Sequence, residues 1–137
     1  MKALDFALDL ADRYSAKVSI INVSQSLGAM GTVPSDPSDS TTENLTSFAR
    51  DITKIHEEIL NKAIDHAKHV KPNLAVLPLL RQGDPAMEIV NAVNEGNFDV
   101  VVVGHRGQEK GRMKELVLGK TSEKVAHTAS CPVVIVK

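Results

Sequence analysis

The chain has 137 residues, 42% of them hydrophobic, and a formal net charge of −1. This length is enough for one domain, residues 1–137, and the balanced charge gives no reason to expect nucleic acid or a membrane surface as a partner. The single cysteine, Cys131, excludes an internal disulfide, and its place before an apolar strand predicts a small buried thiol. No apolar run approaches the roughly 18 residues that span a bilayer, so we expect a cytoplasmic protein.

The first half of the chain predicts helix, strand, loop and helix. Residues 2–14 place apolar side chains at helical spacing, and residues 17–23 read as a buried parallel strand. Residues 24–41 are crowded with Gly, Pro, Ser and Asp, which predicts a long mobile loop. A helix is then expected from about Thr42 to Val70, with one apolar stripe facing inward. That stripe consists of Ile52, Ile55, Ile59, Ala63 and Ala67.

The second half continues the alternation. Residues 74–80 predict a strand at the edge of the sheet, because Pro78 cannot donate to a ladder. Asp84 is a candidate N-cap for the next helix, with proline in the first helical position. Residues 98–103 predict a buried strand. A helix at about residues 120–128 and a strand at residues 132–136 complete the chain. The inward positions of the helix after Asp84 are Ala86, Ile89, Val90 and Val93.

Near-continuously apolar strands that alternate with helices specify a doubly wound α/β domain, a parallel sheet with helices on both faces. In such sheets ligands lie outside the carboxyl ends of the strands. Gly104 marks one such end, and a loop rich in glycine and positive charge leads from it to a helix start near Gly119. Glycines let backbone N–H groups approach an anion, and a helix start adds partial positive charge, so this stretch predicts phosphate binding.

Several landmarks match one family in order. They are the turn and helix at Gly83–Ala86, the strand end Val102–Gly104, the segment Gly104–Gly107, the helix start Leu118–Gly119, and the ending Ala129–Val136. Over nearly its whole length the chain resembles a universal stress protein. The resemblance implies a Rossmann-like, adenine-nucleotide-binding fold with strand order 3-2-1-4-5, and a homodimer formed through the last strand, Pro132 to Val136. In one branch of the family it also implies ATP, with or without Mg²⁺, at the glycine motif.

The resemblance also implies the site residues by position. Val23, at the end of the second strand of the family, would contact adenine through its backbone. The residues around ribose and phosphates would be Val103, Gly104, Arg106, Gly107, Gly119, Lys120, Thr121 and Ser122. The alternative for the three glycines is that they only permit tight turns and a helix start.

Two departures from the family pattern are visible. The ATP-binding branch carries G-x-x-G, nine residues, and then Gly followed by Ser or Thr. Here the interval runs from Gln108 to Leu118, which is two residues longer, and Gly119 is followed by Lys120. A lysine offers phosphate a point charge but not the fixed hydroxyl donor of the family pattern.

The second departure is that the chain begins at what resembles the family's first helix, so the central strand and the Asp that ends it are missing. Its absence would leave a gap between the strands on either side, with two rows of unpaired backbone groups. Two hypotheses follow. Either Met1 is an internal methionine of a longer protein, or another segment or subunit fills the gap.

The leading functional expectation is an ATP-binding, dimeric regulatory protein of the stress response, without a dedicated catalytic apparatus and with slow ATP hydrolysis at most. The second is a nucleotide-independent dimeric interaction module, and the third an adenylyl-transferring enzyme. His66 and His69 lie three apart on a helix, but no third ligand is evident, so a solvated face is expected rather than a metal site.

Overall fold

The computed structural model describes residues 1–25, 40–105 and 118–137. Each predicted helix and strand is present, with boundaries that differ from the prediction by no more than three residues. The elements in chain order are α1 Lys2–Tyr14, β1 Val18–Ser24, α2 Ser40–Val70, β2 Val76–Gln82, α3 Pro85–Gly96, β3 Val101–Gly104, α4 Lys120–Thr128 and β4 Val133–Val136. Most of the loop predicted at residues 24–41, and most of the glycine-rich segment after Gly104, lie outside the described residues.

The strands form two separate parallel pairs. β1 pairs with β2 from Val18↔Val76 onward, and β3 pairs with β4 from Val101↔Val133 onward. Within the described part of the chain no strand joins the two pairs. The facing edges are those of β1 and β3, because residues of both line a shared cleft. The resulting order is β2-β1-gap-β3-β4. It corresponds to the family's order 3-2-1-4-5 with the gap in the place of the family's strand 1.

Helices cover both faces of this split sheet. Ile21 of β1 lines a cavity with Ile89 and Ala92 of α3, whereas its neighbour Asn22 bonds to His56 of α2. Successive side chains of a strand point to opposite faces, so α2 and α3 lie on opposite sides. α1 packs with α2, and α4 packs with α3. The architecture is therefore the predicted doubly wound α/β arrangement.

The start of α3 is built as the sequence predicts. The Asp84 side chain accepts a hydrogen bond from the Met87 N–H at 2.9 Å, and Pro85 occupies the first helical position. The helix ends at Asn97, which adopts the left-handed conformation at φ 49°. The expected inward set is also confirmed, since Ala86, Val90 and Val93 are buried and Ile89 lines the cavity under β1.

The predicted stripe of α2 was partly wrong. Ile55 and Ile59 are 55% and 38% exposed, and the buried residues of the helix are Leu60, Ile64 and Ala67. His56 is on the side of the helix that faces the sheet, because its Nδ1 lies 2.8 Å from Asn22 Oδ1 of β1. Residues one turn on from His56 therefore face the sheet, and the stripe through Ile55 faces away.

Two predictions of burial also need correction. β3 begins at Val101 rather than residue 98, and all four of its residues are half-buried, because the edge away from β4 borders the cleft. Cys131 is likewise half-buried. The edge position inferred from Pro78 is confirmed, since β2 has β1 as its sole strand partner among the described residues.

Candidate functional site

Backbone hydrogen bonds link the end of β3 to the start of α4 and to the end of β4. The Gly119 N–H donates to the His105 carbonyl at 3.0 Å, and the His105 N–H donates to the Val136 carbonyl at 2.7 Å. Gly119 is the N-cap of α4 and offers no side-chain cap. The first N–H groups of a helix have no intrahelical partner, so those of residues 120–122 are directed outward where β3 ends. With the helix dipole, they form an anion-attracting surface.

Ser122 is the buried member of this helix start, with 6% of its surface exposed. Its Oγ donates to the Gly104 carbonyl at 2.6 Å. A serine hydroxyl has one proton, so in this arrangement the proton is directed at Gly104 and not at a ligand. The first turn of α4 also presents the exposed side chains of Lys120, Thr121 and Glu123 to solvent.

The end of β1 forms the other side of the candidate site. Parallel pairing in this register turns the backbone groups of Ser24 towards β2, and the Gly83 N–H donates to the Ser24 carbonyl at 2.9 Å. The backbone N–H and C=O of Val23 consequently face away from β2, towards β3. This is the orientation that a backbone contact to a ligand between the two sheets requires.

The predicted site residues therefore fall into two groups. Val23 lies on the β1–β2 sheet, and the others that are described lie around β3 and α4. That second group is Val103, Gly104, Gly119, Lys120, Thr121 and Ser122. Arg106 and Gly107 lie outside the described residues. The cleft between β1 and β3 separates the two groups, although both occupy the carboxyl edge.

Charged residues that sequence reasoning passed over surround this edge. Lys124 Nζ lies 3.3 Å from Asp84 Oδ1, which joins α4 to the start of α3. The pKa of Asp84 is lowered, first by the Met87 N–H and then by Lys124. On β2, Arg81 is bonded to Glu95, while its Nε is buried without a partner among the described residues. The alternation of apolar and charged residues alone could not identify these pairs, because their partners are distant in sequence.

Two histidines of α2, His56 and His66, have structural partners. His66 Nε2 lies 2.6 Å from Asp5 Oδ1, which joins α2 to α1, and His69 is exposed. Across the described residues there is no group of three or more His, Cys, Asp or Glu side chains that could hold a metal ion. The same residues contain no helix long and apolar enough to cross a membrane.

The split parallel sheet with helices on both faces places the chain among the doubly wound α/β proteins. The sequence model of the universal stress protein family matches residues 1–137. The chain belongs to this family.

Relatives of the chain support the same conclusion. It is 32% identical to universal stress protein YxiE of Bacillus subtilis, over 99% of this chain and 89% of that protein. The structure of universal stress protein UspA from Lactobacillus plantarum superposes with a TM-score of 0.76 at 15% identity, covering 98% of this chain and 87% of that one. A universal stress protein crystallised in complex with cAMP superposes with a TM-score of 0.67 at 22% identity, covering 98% and 86%.

Proposed function

We propose that this chain binds ATP at the carboxyl edge of its sheet and acts as a cytoplasmic regulatory protein in the stress response. The observation that carries the proposal is the start of α4. Three N–H groups without intrahelical partners are held at the end of β3 by the bonds of Gly119 and Ser122, and no side chain among the described residues caps them. The cAMP complex of a structural neighbour supports an adenine nucleotide as the ligand class.

The two groups of site residues suggest how the nucleotide lies. The adenine would contact the Val23 backbone on β1, and the phosphates would accept hydrogen bonds from the N–H groups of residues 120–122. One strand position lies between β1 and β3, a distance of about 10 Å at the usual strand spacing. A nucleotide extended along the edge would therefore contact both sheets, with Arg106 and Gly107 of the adjoining segment adding to the phosphate contacts.

The mechanism we propose is a population shift rather than a reaction. ATP, with or without Mg²⁺, would favour one arrangement of the glycine-rich segment and so change the surface offered to partners. At the helix start the described residues provide backbone donors and the charge of Lys120, beside the Glu123 carboxylate in the same turn. We propose binding without appreciable turnover.

The proposal is tested by changing Gly119 to Asp. An aspartate at the N-cap accepts hydrogen bonds from the N–H groups of the second and third helical positions, as Asp84 does in α3. It would occupy the groups assigned to phosphate and add a negative charge beside them. Isothermal titration should then show ATP affinity reduced at least about tenfold, whereas thermal stability stays the same or rises because Asp caps a helix as well as Gly or better.

A matched control separates the local effect from the change in net charge. Ala126 is exposed on α4, two turns further along, and Ala126→Asp introduces the same charge away from the helix start. It should leave ATP affinity within about twofold of the parent, because an exposed charge at that distance is largely screened. Equal affinity for ATP in the Gly119→Asp variant and the parent would refute the assignment of phosphate to this helix start.

The role of Lys120 can be resolved with the same titration. If its ammonium group meets the terminal phosphates, Lys120→Ala should weaken ATP more than AMP, since AMP lacks those phosphates. Equal weakening of both nucleotides would place the lysine elsewhere on the ligand.

A second candidate function is a nucleotide-independent dimeric interaction module, and the outer edge of β4, which pairs with no further strand among the described residues, favours it. The Val101 N–H bonds the Pro132 carbonyl and the His105 N–H bonds the Val136 carbonyl. In parallel pairing this directs Val134 towards β3 and leaves the backbone groups of Val133 and Ile135 directed away from the sheet. A second copy could pair there. A dimer that forms without nucleotide, in a chain that fails to bind ATP, would favour this function.

A further inference from the structure

The helix α2 carries a second apolar stripe, which its packing on the sheet leaves at the surface. Phe48, Ile55 and Ile59 are 51%, 55% and 38% exposed, and Ile52 is half-buried. We call these four residues the outer stripe. They follow one another at spacings of four, three and four residues, which places them along one line of the helix for about 17 Å. Apolar residues at this spacing form the seam by which one helix packs against another.

The sheet-facing side of α2 is already in use by the fold. Leu60 and Ile64 are buried, and His56 bonds to Asn22 of β1. The helix therefore has one apolar side in the core and a separate one in the outer stripe. A stripe of large aliphatic and aromatic side chains at the surface is typical of a site of association.

One flank of the outer stripe carries charges of alternating sign. In chain order the side chains are acidic, basic, acidic and basic, and all of them are exposed: Asp51, Lys54, Glu58 and Lys62. Spacings of three or four residues keep them on one side of the helix, next to the stripe. In the described part of the chain none of the four is in an ion pair. Their charges are therefore available to a partner.

The order of these charges indicates which partner fits. Let α2 of a second copy lie against the outer stripe in the antiparallel direction, so that Ile55 of each copy is beside Ile59 of the other. Asp51 then comes opposite Lys62 of the other helix, and Lys54 opposite Glu58, each within about one residue of level. The alternation is complementary to itself when it is read backwards.

The other direction of packing is disfavoured. In a parallel pair of the same helices each charge would face its own equivalent, so that acid would meet acid and base would meet base. An antiparallel pair also has the two-fold symmetry of a homodimer, in which every contact occurs twice. Direction and partner are thus both set by the same four side chains.

We propose that the outer stripe of α2 is a self-association surface, at which α2 of a second copy packs in the antiparallel direction. The apolar residues supply the contact, and the flanking charges fix its direction, since exposed ion pairs add specificity more than affinity. α2 packs on β1 and β2, at the other end of the strand order from β4. The surface is therefore distinct from the edge of β4, and copies joined at both would form assemblies larger than a dimer.

The size of the outer stripe sets the strength of the association. Four side chains along about three turns bury well under the roughly 1,200 Å² of a stable interface. We expect a Kd on the order of 100 µM, so that at low micromolar concentration the stripe alone leaves the chain monomeric.

Sedimentation equilibrium between about 10 µM and 1 mM protein tests the proposal in the Ile135→Pro chain, where proline removes a donor from the outer edge of β4. The weight-average mass should rise from monomer towards dimer over this range. Ile55→Lys in the same background should raise Kd at least about tenfold, because it places a charge at the centre of the contact. Asn61→Lys adds the same charge at an exposed position of α2 away from the stripe, and Kd should stay within about twofold.

Reversal of the charges tests the direction of packing. Asp51→Lys with Glu58→Lys makes the flank uniformly positive and should raise Kd at least about fivefold. Adding Lys54→Glu and Lys62→Glu restores an alternation in the opposite order, which an antiparallel pair satisfies equally well, so Kd should return to within about twofold of the parent.

Four results would overturn the proposal. They are a chain that stays monomeric at 1 mM, a Kd that Ile55→Lys does not change, a fourfold charge exchange that fails to restore association, and a fall in Tm of more than about 4 °C in Ile55→Lys. The last result would mean that the outer stripe packs within its own chain.

Discussion

Replacing Ser122 with alanine distinguishes a structural hydroxyl from a ligand-binding one. The Ser122 Oγ is buried and donates to the Gly104 carbonyl at 2.6 Å, which fastens the start of α4 to the end of β3. The variant loses that hydrogen bond and leaves the carbonyl of the half-buried Gly104 with one partner fewer. We expect a loss of about 2 kcal/mol in the free energy of unfolding of the half that contains β3 and α4, which lowers the Tm of that transition by at least roughly 6 °C.

The measurement pairs urea unfolding with a titration of ATP. If the proton of Ser122 is used on Gly104, stability should fall as stated and ATP affinity should change by less than about threefold. Thr121→Ala is the matched control, since Thr121 is the exposed neighbour on the same turn, and its stability should stay within about 0.5 kcal/mol of the parent. Unchanged stability together with a tenfold weaker ATP affinity in Ser122→Ala would show that the hydroxyl serves the ligand and would refute our reasoning.

Two further predictions concern α3 and β4. Asp84→Ala should lower Tm at pH 7, because the Asp84 carboxylate caps α3 through the Met87 N–H and its pKa is held below the ordinary 3.8. The stability that the Asp84 carboxylate adds is complete above pH 3.8 and is lost as the pH falls through the lower pKa of the folded state, so the Tm values of parent and variant should converge in acid. Asp84→Asn keeps the cap and should have the Tm of the parent at pH 7. Ile135→Pro should give monomers by light scattering with Tm little changed, because the Ile135 N–H faces away from β3, and Val134→Pro should instead lower Tm by breaking the ladder with β3. A dimer that persists in a folded Ile135→Pro variant would place the interface elsewhere.

Local signals in the sequence were enough to place the elements. The helix at residues 2–14 was predicted with the bounds that the structure has, and the pair Asp84 and Pro85 located the start of α3. These predictions succeeded because caps, proline and short-range periodicity act within one or two turns of chain. They do not depend on where distant segments lie.

Which residues are buried depends on long-range contacts, which local sequence patterns do not reveal. α2 carries apolar residues on more than one face, and its packing against β1, where His56 bonds to Asn22 34 residues away in sequence, goes with the burial of Leu60 rather than Ile59. The half-exposure of β3 follows from the gap beside it, which the missing first strand of the family pattern indicated but the composition of β3 itself did not. The candidate site has the same limit, since the sequence identified Gly119 as a helix start but not the bond from Ser122 that positions it.

The separation of the two sheets also bears on how the chain unfolds. No strand pairing connects β1–β2 with β3–β4 in the described residues, so the halves are coupled through the packing of α1 and α3 and through the Asp84–Lys124 pair. A cooperative, all-or-none transition needs each part to lose its stability when the other melts. Calorimetry of the chain should accordingly give a measured enthalpy larger than the van't Hoff enthalpy, the signature of two units that melt in succession.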